Sequence, residues 1–154
     1  MKRIRFAIIP VALLLTAAAA QKSARPAAAQ PITVYRTATC GCCGKWVDHL
    51  KAAGFAPTVH IVESTNTVAA RKRVPEAMRT CHTATLEGYV VEGHVPPDII
   101  KQLLRDKPRV EGITVPGMPA GSPGMESPNP QPYDVLAFDG KGKTSVFAKV
   151  PVRR

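Results

Sequence analysis

Three of the four cysteines in this 154-residue chain lie within four consecutive positions. Cys40 and Cys43 form a C-x-x-C pair, and Cys42 lies between them, directly before Cys43. A thiolate is both the nucleophile of disulfide exchange and a ligand of soft metal ions. Because a dithiol switch needs only two sulfurs, the third cysteine favours a soft ion that accepts bridged sulfur. Cu(I) is the leading candidate, and the spacing is also compatible with zinc.

A second group of donors, Cys81 and His82, comes just before a predicted strand. The two residues would extend the ligand set to four sulfurs and an imidazole. Successive strand residues point to opposite faces, so both can reach one ion only where the segment is irregular.

Further donors lie in the second half of the chain. Met118 and Met125 are the only large apolar side chains in residues 115–132, a loop with six prolines and three glycines. Their thioethers suit Cu(I), although they could equally fix the loop to the core. His94 could turn toward the same end of the sheet as the cysteines, but the favoured interpretation is a cap of the helix that Pro96 opens, or a surface residue. The other two histidines, His49 and His60, are expected to be solvated.

Periodicity predicts the elements that position the first cysteines. A strand at residues 32–36 leads through the cysteine turn into a helix, whose apolar residues follow a helical spacing and which Gly54 ends. The unpaired N–H groups at its start favour thiolates, so the thiols of the turn should ionise easily. A second strand at 58–62 and a short helix at 65–72 follow, which predicts a parallel strand pair with a right-handed crossover. The apolar residues of the first helix are Cys43, Trp46, Val47, Leu50 and Ala53.

The rest of the chain continues this pattern. Two strands at 83–86 and 89–92 flank a two-residue turn, and a helix runs from the Pro96-Pro97 pair to Pro108. The fold class is therefore α/β: a thioredoxin-like β-α-β-α-β-β-α domain with a Pro/Gly/Met loop. In such a fold the position of Cys81 and His82 faces the start of the first helix and normally holds a cis-proline, for which Pro75 is too far back. An additional C-terminal β-hairpin is predicted from residues 133–138 and 144–148.

The first 30 residues predict export. Three basic side chains precede an apolar run at residues 6–20, which is too short and too alanine-rich to span a bilayer comfortably. We therefore expect a signal peptide at 1–20, with cleavage possible as late as residue 29, and a flexible leader at 21–31. A metal-binding domain at 32–150 would then reach the periplasm without a stable membrane anchor.

Charge and composition exclude several function classes. The net charge of +10 includes five basic and no acidic side chains in the first 30 residues, which leaves +5 for the remainder. With few aromatic residues as well, no nucleic-acid partner is expected. No phosphate-binding glycine loop, general acid–base pair or Ser/His/Asp arrangement stands out. The sequence thus leaves open whether the protein is an enzyme, and any activity would be thiol or copper redox chemistry.

Four segments of the chain resemble the CopG-like family. They are residues 35–46 (YRTATCGCCGKW), 81–84 (CHTA), 88–96 (GYVVEGHVP) and 115–126, which contains VPGMP and GSPGME. The family consists of small exported bacterial metal-binding proteins that are associated with copper resistance. The resemblance implies a thioredoxin-like fold and copper binding by Cys40, Cys42, Cys43 and Cys81. Its implied partners are copper ions and other periplasmic copper-handling proteins.

Two functions are compatible with these residues. The first is a periplasmic protein that sequesters or transfers Cu(I) and contributes to copper resistance or homeostasis. The alternative is a thiol-disulfide oxidoreductase in which Cys40 attacks and Cys43 resolves, although the missing cis-proline weakens it. Purely structural disulfides are a third interpretation, which the crowding of the cysteines disfavours.

Overall fold

The computed structural model describes residues 28–152, so the predicted signal peptide and most of the predicted leader lie outside the described residues. The described elements are β1 (Gln30–Arg36), α1 (Gly41–Ala52), β2 (Phe55–Ile61), α2 (Thr65–Arg71), β3 (His82–Leu86), β4 (Tyr89–Gly93), α3 (Pro97–Asp106), β5 (Gly112–Val115), β6 (Tyr133–Phe138) and β7 (Thr144–Val150). A short 3-10 turn at Glu76–Met78 precedes β3. The order from β1 to α3 is the predicted one.

All seven strands form one mixed sheet with the order β2-β1-β3-β4-β5-β6-β7. β1 and β2 are parallel, as predicted for a strand-helix-strand unit. β3 runs antiparallel to β1 on the other side, with His82 opposite Arg36. The beginning of β3 therefore lies beside the end of β1, which leads into the cysteine turn.

The hairpin of β3 and β4 has the predicted two-residue turn. Glu87 and Gly88 both have positive φ, which a type I′ turn requires. The register is one to one, from Leu86 opposite Tyr89 to Thr83 opposite Glu92. This register also determines which residues lie opposite each other beyond the open end of the hairpin, before β3 and after β4.

The strand β5 was not predicted, and Val115 belongs to it rather than to the loop. β5 pairs in parallel with β4 and antiparallel with β6, so it joins the C-terminal hairpin to the main sheet. The hairpin itself is present as predicted, with Phe138 opposite Thr144. Four residues are too few to show a clear period, which explains why the sequence pattern missed this strand.

The core has one cluster on each face of the sheet. Val91 packs in a large cluster with residues of α1 and α3, whereas its neighbour Val90 packs with Ala69 of α2 and with Phe138. Since adjacent strand residues point to opposite faces, α1 and α3 cover one face and α2 the other. None of the helices in the described segment has the length and apolar character that crossing a bilayer requires.

Candidate metal centre

The cysteine turn lies at the beginning of α1. Cys40 precedes the first helical residue, and Cys42 and Cys43 belong to the first helical turn, which contains no acidic side chain. The guanidinium of Arg36 donates hydrogen bonds from Nη1 to the carbonyl oxygens of Thr37 (3.1 Å) and Cys40 (3.2 Å). The turn is therefore held in shape by a cation, and the positive end of the helix faces its sulfurs.

The fourth cysteine reaches the other three through the strand pairing of β1 and β3. Cys81 immediately precedes β3, and its sulfur and those of Cys40, Cys42 and Cys43 all lie within 4.8 Å of one another. Cys40 Sγ lies 3.5 Å from Cys42 Sγ. Cys43 Sγ lies 3.5 Å from the carbonyl oxygen of Cys81. The convergence of four sulfurs, expected from the sequence, is present in the structure.

The four cysteines are in two chemical states. Cys40 and Cys43 are joined by a disulfide bond, whereas Cys42 and Cys81 are free thiols. Burial first, and the neighbouring Cys42 second, raise the pKa of Cys81 to about 12. At neutral pH the sulfur of Cys81 therefore keeps its proton in this form of the protein.

Two imidazoles lie beside Cys81. Its sulfur is 3.5 Å from Nδ1 of His82 and 3.4 Å from Nε2 of His94. Both histidines are fully buried, and their rings meet edge to face with centroids 4.9 Å apart. Cys81 lies ahead of the regular strand, which is the irregularity that lets Cys81 and His82 point to the same place.

The favoured interpretation of His94 as a helix cap or a surface residue is wrong, and the alternative, a side chain that turns toward the cysteine end of the sheet, is the one observed. α3 begins after Pro96 without a side-chain cap, and His94 is buried against the cysteine cluster. A signal for this position was present in the sequence. If the one-to-one register of the β3-β4 hairpin is continued beyond the strand ends, His94 falls opposite Cys81.

The protonation of both imidazoles suits metal binding. Burial, then the neighbouring His94, lowers the pKa of His82 to about 3, and burial also lowers the pKa of His94. Nδ1 of His94 donates to the carbonyl oxygen of Pro123 at 2.7 Å, so in the neutral ring Nε2 carries the lone pair that faces Cys81. Nε2 of His82 is buried without a hydrogen-bond partner among the described residues. The sulfur of Cys81 and one ring nitrogen each of His82 and His94 lie within 4.8 Å of one another, so they form a second donor group that shares Cys81 with the first and suits a soft or borderline metal ion.

The proline-rich loop folds over the beginning of α1. Met118 and Met125 line an open groove together with Cys42, and Met118 is 37% exposed. Gly124 approaches α1 so closely that a Cβ atom there would lie 2.6 Å from the carbonyl oxygen of Cys42 and 3.0 Å from the backbone nitrogen of Trp46. The two methionines and one of the free cysteines, Cys42, therefore line the same groove at the beginning of α1.

The remaining residues singled out from the sequence have structural or surface roles. Trp46 is fully buried and donates from Nε1 to the carbonyl oxygen of Val95. Its ring lies against that of His82, tilted by 36° with the centroids 4.3 Å apart. His49 is exposed, as expected, and its Nε2 lies 2.7 Å from a carboxylate oxygen of Glu126 in the loop. His60 is exposed and stacks on an adjacent tyrosine.

The comparisons with known proteins agree with this centre. A family model described as "Protein of unknown function, DUF411" matches residues 78–125. No curated protein matches significantly. A solved structure named "Copper resistance protein copG- Form 1" is similar, with 43% identity and a TM-score of 0.74 over 80% of this chain and 98% of that one. A second structure, named as Form 2, has 43% identity and a TM-score of 0.75 over 79% and 98% of the two chains.

The predicted resemblance is confirmed by these relatives. They contain the same mixed α/β architecture, and this chain covers nearly their whole length. A cluster of cysteine and histidine donors lies in the segments that carried the resemblance. The chain belongs to the CopG-like family.

Proposed function

We propose that the protein is a periplasmic copper-binding protein that sequesters or transfers Cu(I) and contributes to copper resistance. The observation that carries the proposal is the convergence of four cysteine sulfurs within 4.8 Å at the positive end of α1. The name of the two similar structures supports copper as the metal. The ligands would be the thiolates of Cys40, Cys42, Cys43 and Cys81, with His82 beside them.

The redox state of the protein would control this binding. With the disulfide between Cys40 and Cys43 closed, two of the four sulfurs are not thiolates. Reduction by an external dithiol would open the bond and supply both. Cys81 would then lose its proton on becoming a ligand, because metal ions bind the thiolate form. Copper affinity should therefore rise with reduction.

Transfer requires that a partner can reach the metal. Cys40, Cys42 and Cys81 are half-buried, and only Cys43 is fully buried. The groove beside Cys42 contains Met118 and Met125, whose thioethers are weak, exchangeable ligands for Cu(I). We propose that these methionines receive or pass on the ion at the entrance to the cluster.

The periplasmic location and domain organisation are part of the same proposal. The basic and apolar pattern of residues 1–20 supports a signal peptide, with residues 21–31 as a leader and 32–150 as the metal-binding domain. The element order from β1 to α3 and the place of Cys81 near the start of α1 support a thioredoxin-like classification.

Anaerobic titration of the reduced protein against a chromogenic Cu(I) chelator tests the proposal. The wild type should outcompete a micromolar chelator, and the Cys42→Ser/Cys43→Ser variant should not. Met78, which packs away from the cluster, offers a matched control for the loop: Met118→Leu/Met125→Leu should slow the release of copper to the chelator, and Met78→Leu should not. Failure of the wild type to compete, or an unchanged affinity in the cysteine variant, would contradict copper binding by this cluster.

Elemental analysis of protein purified from the periplasm without added metal separates copper from zinc. Copper bound in excess of zinc supports the proposal. A Cys and His donor set accepts both metals, so the metal content has to be measured. Zinc alone would overturn the proposal.

The disulfide between Cys40 and Cys43 favours a second candidate, a thiol-disulfide oxidoreductase. A C-x-x-C disulfide at a helix start is the arrangement that such enzymes use, with the first thiolate stabilised by the helix. This function predicts turnover in a dithiol-coupled insulin reduction assay that survives Cys42→Ser/Cys81→Ser. Absence of turnover in the wild type would exclude it.

A further inference from the structure

One buried carboxyl group next to the cluster has no role in the donor set. Glu92 lies on β4 and is fully buried. Its Oε1 accepts hydrogen bonds from the backbone N–H of Thr80 at 2.6 Å and from the Thr80 hydroxyl at 3.1 Å. Its Oε2 accepts a bond from the hydroxyl of Thr83 at 2.7 Å. Burying a carboxyl group is costly, so these three bonds indicate a specific use.

The partners of Glu92 lie on both sides of Cys81. Thr80 immediately precedes the cysteine, and Thr83 follows it by two residues within β3. Thr80 is also held at its carbonyl oxygen by the hydroxyl of Thr65, at 3.3 Å. The backbone that leads into Cys81 is thus fixed by side chains, because the pairing of β3 with β1 begins only at His82.

We propose that Glu92 is a positioning residue for Cys81. By bonding the N–H of Thr80 and the hydroxyl of Thr83 together, it holds the segment before β3 so that the sulfur of Cys81 meets the other cysteines. The inference rests on the proposed copper binding. In this proposal a carboxyl group fixes the conformation of the segment before β3. None of the peptide bonds in that segment is cis.

The packing around Thr80 leaves little freedom for another arrangement. Gly93 follows Glu92, and a Cβ atom at that position would lie 3.0 Å from the Thr80 side chain and 2.8 Å from the carbonyl oxygen of Val115. The side chain of Thr80 therefore fits into a space that a glycine provides. Metal–ligand distances tolerate errors of only about 0.2 Å, so a small shift of Cys81 would weaken the site.

Two conservative substitutions separate the effect of side-chain length at position 92 from the effect of its charge. Glu92→Gln keeps the length of the side chain and an oxygen for the Thr80 N–H, and its amide can donate to Thr83. Glu92→Asp keeps the carboxylate but is shorter by about 1.5 Å, so it cannot bond both partners. The matched control for shortening the side chain is Glu111→Asp, because Glu111 also carries a half-buried carboxyl group and forms an ion pair with Arg73.

We expect Glu92→Asp to weaken Cu(I) binding by about 10- to 100-fold, and Glu92→Gln and Glu111→Asp by less than about threefold. Cu(I) affinity is measured by chelator competition in each variant and again with Cys81→Ser. In the Cys81→Ser background the effect of Glu92→Asp should disappear, because the residue acts through that sulfur. Wild-type affinity in Glu92→Asp, an equal loss in Glu92→Gln, or a full effect without Cys81 would each overturn the proposal.

Amide hydrogen exchange at Thr80 supplies a readout that needs no copper. In the metal-free protein the Thr80 amide should exchange slowly in the wild type and in Glu92→Gln, and at least about tenfold faster in Glu92→Asp. The amide of Val91 should be protected in all three. If Glu92→Asp does not fold, protection of Thr80 in Glu92→Gln supports the proposal and loss of protection overturns it.

The two kinds of failure are distinguishable. A wild-type protein that binds no copper contradicts the proposed function, whatever the amide exchange shows. A wild-type protein that binds copper but exchanges the Thr80 amide as fast as Glu92→Asp contradicts only the role of Glu92.

Discussion

The buried carboxyl group of Glu92 makes the stability of the metal-free protein depend on pH. Burial raises the pKa of Glu92 from an ordinary value of 4.5 to about 7, and the hydrogen bonds from Thr83 and Thr80 and the charge of Arg79 oppose the rise only in part. Replacing the residue by glutamine removes the ionisation but keeps the length of the side chain. The perturbation is therefore Glu92→Gln, studied without metal.

The size and sign of the effect follow from the two pKa values. Between pH 4.5 and 7 the folded protein binds more protons at Glu92 than the unfolded chain does. Ionisation of Glu92 therefore lowers the free energy of unfolding as the pH rises through this window. The difference of 2.5 pKa units between the folded and the unfolded state corresponds to about 3 kcal/mol in the free energy of unfolding. This stabilisation is present at low pH and is fully lost above the folded-state pKa.

Urea unfolding of both proteins at pH 5 and pH 8 measures this effect. The free energy of unfolding of Glu92→Gln, relative to the wild type, should increase by roughly 2 to 3 kcal/mol between the two pH values. Buried histidines such as His82 and His94 titrate in both proteins, so they cancel in the difference. Glu63→Gln removes an exposed carboxyl group and controls for the change in net charge. If the difference in the free energy of unfolding between the wild type and Glu92→Gln changes by less than about 1 kcal/mol from pH 5 to pH 8, the reasoning is refuted.

Three further results are expected. Gly124→Ala should lower the free energy of unfolding by about 1 to 3 kcal/mol more than Gly142→Ala does. Both glycines have positive φ, but only at Gly124 would a Cβ atom press against backbone atoms. Equal losses in urea unfolding would contradict the close packing of the loop. Copper should quench the fluorescence of Trp46, the single tryptophan, a chelator should restore it, and Cys81→Ser should show less quenching. His49→Ala should cost less than about 1 kcal/mol in thermal unfolding, since its ion pair with the loop is exposed.

Local patterns predicted most of the fold. The helical spacing of Trp46, Val47 and Leu50 corresponds to the buried side of α1, and the Glu87-Gly88 turn produced the expected hairpin. Both signals depend on residues that are close in the chain, so they can be read without knowing what packs against them. The strand β5 was missed because its four residues become a strand only between β4 and β6.

The amino-acid sequence by itself identified which cysteines could supply sulfur ligands. Cys40, Cys42 and Cys43 lie within four consecutive positions, so their gathering at a helix start required no long-range contact. The place of Cys81 beside them was expected from the predicted strand and helix order, whereas only the tertiary structure decided that His94 turns toward the same cluster. Their positions depend on the register of β1, β3 and β4, and on a loop that covers them from the distant C-terminal part of the chain. Such contacts join residues that no local period relates, because strand pairing and burial are properties of the whole sheet.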